Sequence, residues 1–297
     1  MFSVANPSTS HPSLFHLAET FSARSLPCLL LFTLLASTVS LLAGRHHVRF
    51  QNISLEQGLP QITVYAILQD RAGFLWVGQE GGLSRFDGSE FKNFFYDPDV
   101  PTSISDNTVL ALCEDRDGYL WVGTRSGLNR YDGDNDVFKR FVYQAGDPSG
   151  LLHNIVNSVV QDQSGDIWVA SFDGLSRYRV GEGFVHFQHE PGNAQSLSHN
   201  KVRKLFIDSS GTLWVGTFDG LNRYLGAKEG FQRYVHDPQN PYSISNSHVD
   251  GIGEDRFGNL WAATEDGVNR LDHQSGRFTR YLADPYVPNS LGAKSAW

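Results

Sequence analysis

Eight side chains stand out as candidates for chemistry because they share one kind of place. They are Glu80, Arg125, Phe172, Asp173, Phe218, Asp219, Glu265 and Asp266, each within two or three residues after a stretch such as Trp-Val-Gly. Carboxylates accept hydrogen bonds from hydroxyls, and flat aromatic faces pack on the apolar face of a sugar ring. The set therefore has the chemistry of saccharide recognition, on the kind of loop that a rigid scaffold presents. The same residue types also make ordinary solvated turns.

Other chemistries are poorly supported. Asp132, Asp134 and Asp136 begin like a calcium loop but lack the central Gly and the distal Glu, so a polar strand turn is expected. His186, His189 and His236 do not have metal-ligand spacing. Nucleophile elbows, phosphate loops and zinc-protease motifs are absent from the sequence. Acid pairs for glycoside hydrolysis cannot be singled out, because every repeat offers several Asp or Glu residues. A lyase or glycosidase would need acid, base and His confined to a few repeats, and no such group is visible. No catalytic residue, metal or cofactor is expected. The formal net charge is −8, and no stretch is basic enough to neutralise a series of phosphates, which disfavours nucleic acid as a partner.

The elements that must position these residues are announced by a phrase repeated five times, as in DRDGYLWVGTRSGLNRY from Asp115. Its tryptophans, Trp76, Trp121, Trp168, Trp214 and Trp261, recur every 45 to 47 residues. Each has an Asp six before it, a Gly three before, a Gly six after and an Arg nine after. A fixed period in this range signals a repeat architecture. Residues present in every copy serve what every copy needs, which is folding. Asp70, Asp115, Asp162, Asp208 and Asp255 therefore read as turn residues. Arg85, Arg130, Arg177, Arg223 and Arg270 read as a structural ladder, hydrogen-bonded to neighbouring carbonyls or to those Asp residues.

Within the second repeat, 109–114 is a short apolar strand and 115–118 a turn with Asp first and Gly last. Strands follow at 119–124, from 128, and at 137–143, and a connector runs over 144–154. Four short antiparallel strands per repeat define an all-β fold, a β-propeller of four-stranded blades. The blades are expected near 62–97, 107–144, 154–190, 200–237 and 247–283. The Trp packs between sheets, and small residues after it (Gly78, Gly123, Ala170, Gly216 and Ala262) admit the next blade. The eight candidates and the connectors then share one rim of the channel.

The ends carry further expectations. Residues 1–44 read as a leader whose apolar core, 28–43, is a signal peptide or membrane anchor. Residues 47–52 resemble an outer strand that could close a ring. A sixth blade begins near 290, so five complete repeats are expected to be part of a larger, seven-bladed ring. Of the two cysteines, Cys28 borders the apolar run and Cys113 reads as a small buried side chain.

The phrases Trp121-Val122-Gly123-Thr124, Gly127-Leu128-Asn129-Arg130-Tyr131-Asp132 and Leu55-Glu56-Gln57-Gly58-Leu59-Pro60 resemble the two-component regulator propeller repeat. The connector pattern S.S.N.V does so too, and the resemblance extends from about Arg49 to the end. It implies a sensor region on the periplasmic side of a bacterial inner membrane. The receptor's output would be a histidine kinase or diguanylate cyclase, neither of which lies in this sequence. The partners it implies are an oligosaccharide or other small ligand, a second copy in a homodimeric full-length receptor, and a membrane reached through 28–43.

Overall fold

The computed structural model describes residues 54–288 and 290–293. The leader, the apolar run 28–43, Cys28 and the strand expected at 47–52 lie outside them. The described residues form five four-stranded antiparallel sheets, each a simple up-and-down meander of consecutive strands. Blade 2 shows the pattern: Val109–Glu114, Leu120–Thr124, Gly127–Asp132 and Val137–Phe141. The others run over 64–94, 156–187, 202–234 and 249–281. First strands of successive blades pack against one another, so they form the innermost layer, facing the channel. Among the described residues the only helical element is a single 3-10 turn, Leu55–Gln57.

The Asp of each repeat builds the turn and anchors the Trp. In blade 2, Asp115 Oδ1 accepts the backbone N–H groups of Asp117 and Tyr119, at 3.0 and 2.9 Å. Its Oδ2 accepts Trp121 Nε1–H at 2.7 Å. The same Trp-to-Asp bond recurs at 2.7, 2.7, 2.8 and 3.0 Å for Trp76, Trp168, Trp214 and Trp261. With its one polar group satisfied, the indole can be buried at little cost. Trp76, Trp121, Trp168 and Trp214 are accordingly 1–2% exposed. Each of the first three meets a Tyr of the next blade: Trp76 with Tyr131 at 5.3 Å, Trp121 with Tyr178 at 5.6 Å, Trp168 with Tyr224 at 5.0 Å.

The arginine ladder differs from expectation. Each Arg lies directly across the sheet from its Trp. Instead of seeking carbonyls or the repeat Asp, Arg85, Arg130, Arg177 and Arg223 stand over the Trp rings at 5.7, 6.0, 5.8 and 5.9 Å. The Asp is already occupied by the indole N–H, and the ring's π-face attracts the guanidinium. Carbonyls are served by a different set, the outer-strand residues Arg140, Arg233 and Arg280. Their Nε atoms donate to the carbonyls of Ser103, Ser196 and Ser243 at 2.7, 2.7 and 2.6 Å. Blade 3 has His186 in that place, with Nε2 3.1 Å from the Pro148 carbonyl.

The small residue after Trp is required by the neighbour. A Cβ on Gly123 would lie 2.7 Å from Val156 Cγ1, and one on Gly216 2.9 Å from Val249 Cγ1. In blade 5 the equivalent is Ala263, not Ala262. Ala263 pairs with Gly251 as Gly123 pairs with Ala111, whereas Ala262 takes the register of Val122. The connector motif is also structural. Ser105 Oγ, Thr124 Oγ1 and Asn129 Nδ2 form a buried triad with bonds of 2.8 and 2.9 Å, repeated at Ser198, Thr217 and Asn222 and at Ser245, Thr264 and Asn269.

Candidate ligand site at the channel mouth

The loop between the second and third strands of each blade is short and fixed. Its closing Gly has positive φ, +136° at both Gly127 and Gly174. A Cβ there would stand 2.7 Å from the carbonyl oxygen of Phe141 or Phe187. Only Gly serves, so the one or two residues before it are presented in a set direction. The backbone N–H groups of Glu80, Arg125 and Phe218 bond to the carbonyls of Thr63, Thr108 and Lys201, at 3.3, 3.2 and 3.1 Å. Short loops and connector ends therefore share one rim.

On blades 3 to 5 this rim carries a continuous row of rings. His153 lies 6.1 Å from Phe172, Phe172 6.3 Å from Phe218, and Phe218 4.2 Å from His248. His199 stacks on Phe218 at 6.2 Å with planes 19° apart. Lys201 Nζ and the Arg203 guanidinium stand 5.2 and 5.9 Å from the centre of the Phe218 ring.

A charged chain continues from the row. Arg203 pairs with Asp250 at 3.0 Å, the Asp250 side chain being only 3% exposed. His248 Nε2 stands 3.5 Å from the same Asp250 Oδ1, too far for a normal hydrogen bond. Its Nδ1 lies 2.8 Å from Glu265 Oε1. An ionised carboxylate only accepts, so Nδ1 carries the proton. Asp250 Oδ2 and His248 Nε2 are enclosed and have no protein partner. Asp266 is held by Asn246 Nδ2 at 2.8 Å. Burial lowers the pKa of His199, with the Asp219 charge opposing that shift.

Of the eight expected site residues, Phe172, Phe218 and Glu265 join this cluster through their side chains. Asp173, Asp219 and Asp266 border it and face solvent. Glu80 and Arg125 are exposed on blades 1 and 2, and none of the described contacts ties them to the row. Sequence reasoning missed His153, His199, Lys201, Arg203, His248 and Asp250. All flank the Val that opens an inner strand (Val156, Val202 or Val249), where the copies vary as freely as they do after Trp. His153 and His199 share a capping task with Asp106 and Asn246, three residues before that Val. Their Nδ1 atoms accept the backbone N–H groups of Ile155 and Lys201 at 3.0 and 2.9 Å. The acid, base and His group not visible in the sequence is present in space as Glu265, His248 and Asp250.

A separate cleft of about 550 Å³ lies between the Asp turns of blades 1 and 2. Two of its polar residues serve the scaffold: Asp70 holds Trp76, and Arg71 donates to the carbonyls of Asp115 and Arg116.

These repeats are two-component regulator propeller repeats. The family profile described as "Two component regulator propeller" matches residues 58–81, 103–126, 150–173 and 196–219. Each match runs from the connector to the loop between the second and third strands. Histidine kinase P4 of Formosa agariphila is 42% identical over 76 residues, which are 26% of this chain and 5% of that protein. The extracellular domain of a hybrid two-component system from B. thetaiotaomicron superposes with TM-score 0.54 at 22% identity, over 81% of this chain and 36% of that one. Virginiamycin B lyase from Staphylococcus aureus superposes with TM-score 0.55 at 16% identity, over 76% and 71%. The chain thus spans a small part of the histidine kinase and about a third of the solved extracellular domain.

Proposed function

We propose that this chain is the ligand-sensing propeller of a bacterial two-component receptor, held outside the cytoplasm, with the channel mouth over blades 3 to 5 as its ligand site. The observation that carries the site is the Phe172–Phe218–His248 row bordered by Asp173, Asp219, Glu265 and Asp266. Ring faces and carboxylates on a rigid rim fit a saccharide. The propeller repeats and the histidine kinase relative support the receptor setting. Residues 28–43 supply export or membrane attachment in this reading, and the full-length receptor acts as a homodimer. The test is a thermal-shift screen of the 297-residue chain against oligosaccharides, repeated with F218A. A saccharide that raises the melting temperature of the parent chain but not of F218A supports the site. No shift with any saccharide, alongside a shift with a partner protein, counts against it.

A propeller enzyme is the second reading, favoured by the Glu265–His248–Asp250 group. A general base must reach the proton it takes. His248 Nε2 is enclosed against Asp250, which favours a holding role over a reacting one. Release of new reducing ends from a bound oligosaccharide, lost in H248A, would reverse that preference.

A further inference from the structure

We infer that the mouth discriminates against acidic saccharides in favour of uncharged ones; this rests on the saccharide reading of the site. The ground is the balance of charge that a ligand meets. Asp173, Asp219, Glu265 and Asp266 are exposed around the ring row, and Lys201 is the exposed cation beside it. Arg203, which would otherwise attract a carboxylate or sulfate, is committed to Asp250 through both Nε and an Nη, at 3.1 and 3.0 Å. An acidic sugar would therefore enter a ring of like charges with one cation to offset them. Close like charges disfavour binding, and more so as water is excluded.

A neutral ring escapes that penalty. It packs on Phe218 and Phe172, with Lys201 and Arg203 5.2 and 5.9 Å from the Phe218 ring centre. Its hydroxyls donate to Asp219 and Glu265, which accept without a change in charge.

Asp250 keeps that balance. It is a 3% exposed carboxylate whose Oδ1 holds Arg203 and lies beside His248, while its Oδ2 lacks a protein partner.

The experiment is calorimetric titration of the 297-residue chain with size-matched oligomers. Neutral probes are cello-, xylo-, manno- and malto-oligosaccharides; acidic probes are oligogalacturonate and chondroitin sulfate fragments. A neutral oligomer should bind at least tenfold more tightly than any acidic one, with affinity unchanged between low and high salt. D219N, at an exposed position that leaves the scaffold intact, should weaken it severalfold. Tighter binding of an acidic oligomer that F218A abolishes would overturn this inference and leave the saccharide site standing. Failure of every saccharide, neutral and acidic, would overturn both.

Discussion

Glu265 Oε1 accepts a hydrogen bond from His248 Nδ1 at 2.8 Å, although the two are 17 residues apart in the chain. The bond ties the blade 5 loop to the residue that precedes its inner strand. It also sets the imidazole plane against Phe218, 4.2 Å away. Glu265 is half exposed, so the bond is solvent-screened and contributes little to stability. E265A should change the unfolding free energy by less than about 1 kcal/mol, while weakening any ligand that rests on the Phe218–His248 pair. Denaturant unfolding and calorimetry on the same variant separate the two effects.

Arg203 and Asp250 should behave in the opposite way. The Asp250 side chain is 3% exposed, and removing its partner leaves a buried charge. R203M should cost about 2–4 kcal/mol, below the full penalty for a buried pair because Arg203 is 33% exposed. R203M combined with D250N should recover part of that loss, and a denaturant-based double-mutant cycle measures the coupling.

The Asp that begins each turn is predicted to matter more than any mouth residue. In D115A, Trp121 Nε1 keeps its burial but loses its acceptor. The turn N–H groups of Asp117 and Tyr119 lose theirs as well. A loss of about 1–3 kcal/mol is expected from the indole alone, with a change in Trp emission. The repeats stack like a one-dimensional array, so the unfolding transition should also broaden as blade 2 uncouples.

Gly123 tests how closely blades approach. G123A puts a methyl 2.7 Å from Val156 Cγ1 and should cost about 1–3 kcal/mol through overpacking. Adding V156A should return part of this if the clash is the cause. Thermal melts of the single and double variants decide it.

The blades were legible because the Trp period places Asp, Gly and Arg at fixed offsets, and each offset corresponds to a contact that every blade repeats. What sequence alone could not settle was which contact. The Arg nine residues after Trp121 offers several donors, and only the strand register places it over the indole. The site was half legible. Phe172 and Phe218 follow Trp at the expected place, whereas His248 and Asp250 flank the opening Val of an inner strand. Their meeting with Glu265 depends on how the connector folds back, as the buried Ser245–Thr264–Asn269 triad makes it do. Chain spacing carries no trace of that geometry.

Cys113 offers a pH test. Burial, seconded by the charges of Asp115 and Glu114, pushes its thiol up to about 11 from an ordinary value of 9.0. The folded state therefore holds the proton more tightly than the unfolded one. Stability is unaffected below about pH 9 and falls as pH rises from about 9 towards 11. In a C28S variant, Cys113 should react slowly with a thiol-specific disulfide reagent at pH 8 and rapidly once the chain is unfolded in guanidinium. Equal rates in both states would contradict the shielding of the half-buried Cys113.

The most direct test of the central claim is hydrogen exchange of the 297-residue chain with and without the oligosaccharide that raises its melting temperature most. Protection is predicted at the mouth, in peptides covering Phe172–Asp173, His199–Arg203, Phe218–Asp219 and His248–Asp250. Protection confined to the opposite rim, at the Asp turns that begin with Asp70 and Asp115, would contradict it.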